Sequence, residues 1–297
     1  TYTIPDFFRI LFGRDIPVAS YLLVESKLPR ALLAVLVGLS LGASGALFQV
    51  TLRNPLASPD IVGVTMGASV GAVYGVLILG VKGPSVSVLA LIGALATALV
   101  IRSVGGRAGG QRIVLVGVVL TAALASVVHY LLSRGRLFDV QVALQWLAGS
   151  LQGADWQRVR LVALCLLVTT PVIMVLMPAL RAAQLGDDLA AGLGTSRYAP
   201  DLILGVAVVQ VGIAVAATGP IAFLAFMSGP IARALNAGRH TIVGAALTGA
   251  VLVLLGDFTG RYLIGDINVP VGLVTGAIGA PFLLWLLSRG AAGKAAS

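Results

Sequence analysis

The chain has 297 residues, 58% hydrophobic and 10% charged, with a mean hydropathy of +1.03. A soluble domain carries about 25% charged residues, so this composition excludes a water-soluble globular protein and defines a polytopic membrane protein. The net charge of +9 is spread over many short loops and forms no patch, which fits lipid headgroups and excludes nucleic acid as a partner.

Residues 1–30 are mixed and punctuated by proline, and read as an interfacial segment anchored by Phe7, Phe8, Phe12 and Tyr21. No cleavable signal peptide is visible there. Eight uncharged runs follow, at 31–52, 61–81, 83–101, 113–133, 161–180, 202–232, 242–256 and 267–288. Most approach the roughly 20 residues needed to cross about 30 Å of hydrocarbon. The run 202–232 is too long for one span and is interrupted at Thr218, Gly219 and Pro220, so nine membrane helices are expected. The short run 242–256 extends to Tyr262 if Asp257 and Arg261 sit at the interface and snorkel.

In chain order, a first helix follows Lys27-Leu28-Pro29-Arg30 and runs to about Thr51, and a polar break with Pro55 and Pro59 leads to a helix over about 61–80. That helix carries Gly63, Gly67, Gly71 and Gly75 at a strict spacing of four, which opens a side-chain-free groove where another helix can approach closely. Helices are expected next at about 85–101 and 113–133, separated by a basic, glycine-rich loop, and the connection 134–160 holds a surface helix over 140–151 bearing Trp146. A helix over 160–180 ends at Pro178 and Arg181, the segment 183–201 is polar, and four helices follow at about 201–217, 221–236, 241–262 and 269–288 before a small, basic, disordered tail.

Catalytic constellations are missing from this pattern. No phosphate loop of the G-x-x-x-x-G-K-[ST] type occurs, so ATP hydrolysis by that route is excluded. His129, His240 and Cys165 lack metal-ligand spacing, the lone cysteine rules out an internal disulfide, and His129 reads as an interfacial or packed side chain. No pair of carboxylates lies inside an apolar run, which argues against a proton- or sodium-coupled carrier working alone. No cofactor and no metal is expected. Orientation is undecided by charge, because the loops on each side carry 10 basic residues.

Six blocks, in order, resemble the FecCD/BtuC family of ABC-importer permeases: Lys27-Leu28-Pro29-Arg30, Gly42 to Gln49, Arg53 to Asp60, Leu185 to Asp188 with Leu193-Gly194, Gly219 to Phe223, and Val269 to Pro281. The resemblance implies an all-α, polytopic bundle of the type II ABC-importer class, forming one transmembrane permease domain over 1–297 in the cell membrane. It implies a permease that imports a ferric siderophore, with cobalamin or haem as alternatives. Its implied partners are a second permease, two cytoplasmic ATPase subunits and an extracytoplasmic binding protein. Family members usually have ten helices with both termini in the cytoplasm. A chain beginning after the first helix would place residues 1–30 outside and the tail inside. Ser228-Gly229-Pro230-Ile231-Ala232-Arg233 departs from the Pro-His of many relatives, which points to a heterodimer.

Site residues follow from the resemblance. Lys27, Arg30 and Arg261 would dock acidic side chains of the binding protein, and simple snorkelling is the alternative. The segment Leu185, Gly186, Asp187, Asp188, Leu189, Ala190, Ala191, Gly192, Leu193 and Gly194 reads as a short helix with acids at its positive end and glycine at its cap, and would couple to the ATPase. An ordinary loop helix would look the same. The pathway would be lined by the helices at 113–133 and 269–288, with Gly272 and Gly276 in the latter.

Overall fold

The computed structural model describes residues 19–106, 110–264 and 268–295. Among them are twelve helices: α1 (Ala19–Thr51), α2 (Pro59–Val62), α3 (Val64–Leu77), α4 (Pro84–Gly105), α5 (Gly110–Arg134), α6 (Leu137–Leu147), α7 (Trp156–Gln184), α8 (Asp187–Gly192), α9 (Ala199–Thr218), α10 (Leu224–Leu235), α11 (Ile242–Tyr262) and α12 (Val271–Ala295). Seven are long and apolar enough to cross a membrane, and α3 and α10 are shorter apolar helices, which together make the nine expected from the sequence. At 1.5 Å per residue, α3 and α10 are about 20 Å long, so each reaches only part of the way across the hydrocarbon.

The helix boundaries differ from the sequence reading where proline and glycine act against expectation. Residues 19–30 are helical and continuous with α1, so the described part of the proposed interfacial segment is instead the start of a span. Phe7, Phe8 and Phe12 lie outside the described residues. A π-helical turn, Leu22–Lys27, precedes Pro29, where a missing N–H and a ring must be accommodated. In α7, Pro171 and Pro178 lie inside the helix, which runs on to Gln184 and does not stop at Pro178. Hydrocarbon offers the backbone no other hydrogen-bond partner, so a proline there is absorbed by its neighbours. The tail after Arg289 is helical to Ala295, against the expected disorder.

Small residues hold the core together. α1 is the most deeply buried span, with 72% of its apolar window inside the protein. Its Gly38 and Gly42 meet Gly249 and Ala245 of α11 so closely that a methyl group on either α1 glycine would collide with backbone. Lipid tails are as apolar as leucine, so helices in a membrane gain stability from close packing of this kind. Three side chains form a buried polar link through the centre: Ser44 of α1 donates to Gln210 Oε1 of α9 (3.1 Å), and Gln210 Nε2 donates to Thr169 of α7 (2.8 Å).

Candidate functional site

The glycine stripe does two jobs. Gly67 and Gly71 pack against the backbone of Gly93 and Leu89 in α4, and Gly75 faces the Leu89 side chain, so these three close the α3–α4 seam. Gly63 does not belong to the helix. Its φ of +95° makes it a left-handed joint between α2 and α3, and its Cα faces Thr121 and Gly117 of α5. The helix expected over 61–80 is therefore broken at Gly63 into α2 and α3, because only glycine adopts that φ cheaply. Ser58 caps α2, and Asp60 Oδ1 accepts from Thr65 Oγ1 across the joint at 2.6 Å.

At one end of the bundle stand the three expected docking cations. Arg30 grips Asp257 of α11 with two hydrogen bonds, Nε to Oδ2 at 2.9 Å and Nη2 to Oδ1 at 2.7 Å, and both side chains are only 18% exposed. A bidentate guanidinium–carboxylate pair fixes geometry as well as charge, so Arg30 is a brace between α1 and α11 and is not an open docking cation. Lys27 is exposed on the π-helical turn. Arg261 lies one turn beyond Asp257, its guanidinium carbon 5.8 Å from the Tyr262 ring centroid.

The opposite end carries the segment 185–194. Gly186 (φ +110°) opens α8 and Gly194 (φ +74°) follows its end, with Ala190 N–H bonded to Gly186 C=O at 2.9 Å. Leu185, Leu189 and Leu193 are 59%, 61% and 66% exposed, so three leucines of this segment have little cover within the chain. Sequence reading rested on the acids and glycines here and missed the leucines, although their spacing was legible. Nearby, Arg102 of α4 donates to Asp201 at the start of α9 (2.7 Å), a link between residues 99 positions apart.

Between the two ends, α2, α3, α5, α6 and the turn before α10 enclose a cavity of about 460 Å³ lined by Asp60, Thr65, His129, Leu147 and Phe223. His129 is exposed and lines this cavity, and is not packed into the core. Beyond the lining, backbone joins the neighbouring elements: Ser150 N–H donates to Thr218 C=O (2.7 Å) and Gly272 N–H to Gly149 C=O (3.0 Å). Gly272 is pressed against the carbonyls of Ala148 and Pro220, whereas Gly276 meets Ala222 at ordinary contact distance. α5 shows most of its surface, with Leu115 and Val119 each 65% exposed, so one long face of this helix has no cover among the described residues. No group of three or more metal-binding side chains occurs among the described residues.

Central gapless packing on glycine, a cavity bounded by half-length helices and two exposed end surfaces define a multi-pass membrane transport subunit with the fold of type II ABC-importer permeases. The chain belongs to the FecCD transport family, whose profile matches residues 1–289. It is 38% identical over 281 residues to the Fe(3+) dicitrate transport system permease protein FecD of Escherichia coli (strain K12), covering 91% of this chain and 86% of the relative. Similarity is also found to the ferric enterobactin permease FepG of the same strain (34%; 94% and 86% covered) and the vitamin B12 import permease BtuC of Salmonella arizonae (33%; 90% and 83% covered). Among solved structures, an inward-facing metal-chelate type ABC transporter shares the fold with a TM-score of 0.83 at 24% identity, covering 93% of this chain and 90% of that one.

Proposed function

We propose that this chain is the membrane subunit of an ABC importer for a ferric siderophore, working with a second permease, two ATPase subunits and an extracytoplasmic binding protein. Near full-length similarity to permeases named for ferric dicitrate and ferric enterobactin is the observation that carries this reading. The chain is no enzyme in this reading, and ATP is hydrolysed in the partner subunits. Lys27 and Arg261 meet acidic side chains of the binding protein, where charge pairing across a wet interface steers and orients more than it tightens. Segment 185–194 seats its exposed leucines on the ATPase and passes the nucleotide-driven motion to α7 and α9. The exposed face of α5, with α12, meets the second permease, as expected of a heterodimer, and the cavity beside them opens onto the shared pathway. Apolar lining suits a weakly binding conduit, and recognition belongs to the binding protein.

Cobalamin is the second reading, favoured by the vitamin B12 permease among the relatives. Reconstitution of the whole importer in vesicles, with uptake of radio-iron siderophore, cobalamin and haem compared, decides between them. ATP-dependent uptake of the ferric siderophore alone is expected, and uptake of cobalamin or haem in its place overturns the cargo assignment. Lys27→Glu with Arg261→Glu is expected to weaken binding-protein docking with the bundle intact, and unchanged docking affinity removes that role.

A further inference from the structure

Phe223 lines the 460 Å³ cavity with its backbone in the left-handed region, at φ +60°. A bulky residue adopts that conformation at a cost and glycine would adopt it freely, so an aromatic residue held there is held for its ring. Two helices grip it, and they differ in how firmly they are fixed. On one side α10, which starts just after Phe223, is anchored to α1. Gly45 of α1 lies against the backbone of Ala225, and Gln49 Nε2 donates to Phe226 C=O at 3.0 Å. Pro230, four residues on, has no N–H for that carbonyl, so Gln49 replaces the missing helical bond. The Phe226 ring is fully buried and meets the Phe223 ring edge-on, with centroids 6.4 Å apart. On the other side stands α12. A methyl group at its Gly279 would collide with the Phe223 side chain, so the ring is seated on bare α12 backbone. α12 is held more loosely than α1: 28% of its apolar window is buried against 72%, and Ile278, beside the seat, is exposed. Its start is pinned by the Gly272–Gly149 hydrogen bond, and Pro281, two residues past the seat, removes one of its internal hydrogen bonds.

We propose that Phe223 is a gating residue of the transport pathway. Its ring closes the cavity wall while seated on Gly279, and clears it when α12 tilts away from residues 222–223 about its pinned start. The seat holds Phe223 against its backbone preference, so a small tilt of α12 lets the residue relax, and the closed and open arrangements stay close in free energy. α10 does not follow α12, because Gly45 and Gln49 tie it to the most deeply buried span. The gate rests on the importer reading above, in which the cavity opens onto the pathway beside α12.

A disulfide beside the seat tests the gate. A β-carbon at Gly276 would lie 3.6 Å from that of Ala222, within the roughly 3.5–4.5 Å that a disulfide spans. Ala222→Cys with Gly276→Cys therefore joins α12 to the Phe223 corner in the seated arrangement. In vesicles holding the whole importer, the oxidised double variant is expected to take up radio-iron siderophore about tenfold more slowly than the same vesicles after dithiothreitol, and neither single-cysteine variant to respond to the reagent. Recovery on reduction shows that the variant is folded. Phe223→Gly, which keeps the left-handed backbone and removes the ring, is expected to raise the ATP consumed per siderophore delivered about twofold or more, because cargo slips back through an open wall. Equal uptake before and after reduction, with the bridge confirmed by mass spectrometry, overturns the gate, as does a wild-type ratio of ATP to cargo in Phe223→Gly. In the same vesicles, wild-type uptake reports on the importer reading and the oxidised-to-reduced ratio reports on the gate.

Discussion

Arg30 and Asp257 lie 227 positions apart in the chain, yet they form the tightest polar contact between α1 and α11. Removing one partner leaves the other charge half-buried, so Arg30→Gln is expected to destabilise the bundle by about 2 kcal/mol in a detergent thermal melt, and Asp257→Asn in the same chain to recover part of that. A single mutant melting like the wild type would show that water already serves both groups. His240, in the loop before α11, is held below its ordinary pKa of 6.5 by burial and by the Arg233 guanidinium. A lowered pKa means that the folded state resists protonation. The stability it supports is complete above the unfolded pKa and is lost as the pH falls from there through the lower folded value. NMR titration should place the His240 midpoint below 6.5, and Arg233→Gln should move it upward. Arg30 and Asp257 were each legible as charges at a helix end, but their pairing was not, because residues so distant in sequence meet only through the packing of the helices that carry them.

The α3–α4 seam shows what a glycine stripe is for at the scale of an element. Gly67→Leu forces a side chain into the backbone of Gly93, and is expected to cost about 3 kcal/mol in resistance to unfolding. Gly205→Ala in α9, where a methyl group meets open space, is expected to be neutral or stabilising by up to about 1 kcal/mol. Equal effects of the two changes would show that the seam does not depend on close approach. α8 supplies the contrasting case of apolar side chains without cover. Leu189→Glu is expected to abolish co-purification of the ATPase while membrane insertion persists, and persistent co-purification would remove the coupling role from the exposed leucines. The spacing of four in 63–75 was visible in the sequence, yet one of its four glycines turned out to be a joint. A glycine needed for positive φ and a glycine needed for close approach look alike until the backbone is traced.

At the scale of the whole molecule, the described residues hold helices, a cavity and two end surfaces, with no cluster of metal-binding side chains. Because the chain belongs to the FecCD transport family, the isolated chain in vesicles with a proton or sodium gradient and no ATP is expected to move no solute. Transport under those conditions would replace the importer reading with that of a secondary carrier.

Composition, uncharged runs and the order of six motif blocks were enough to establish a membrane protein with nine apolar helices and to reach its family, because hydrocarbon demands long apolar segments and close packing demands small residues at regular intervals. What those residues touch was settled only in three dimensions. The fold turned Arg30 inward to Asp257, broke the glycine helix at Gly63, carried α7 through two prolines and left Leu185, Leu189 and Leu193 uncovered. Side-chain partnership depends on which helices become neighbours, and periodicity along one helix carries no record of that choice.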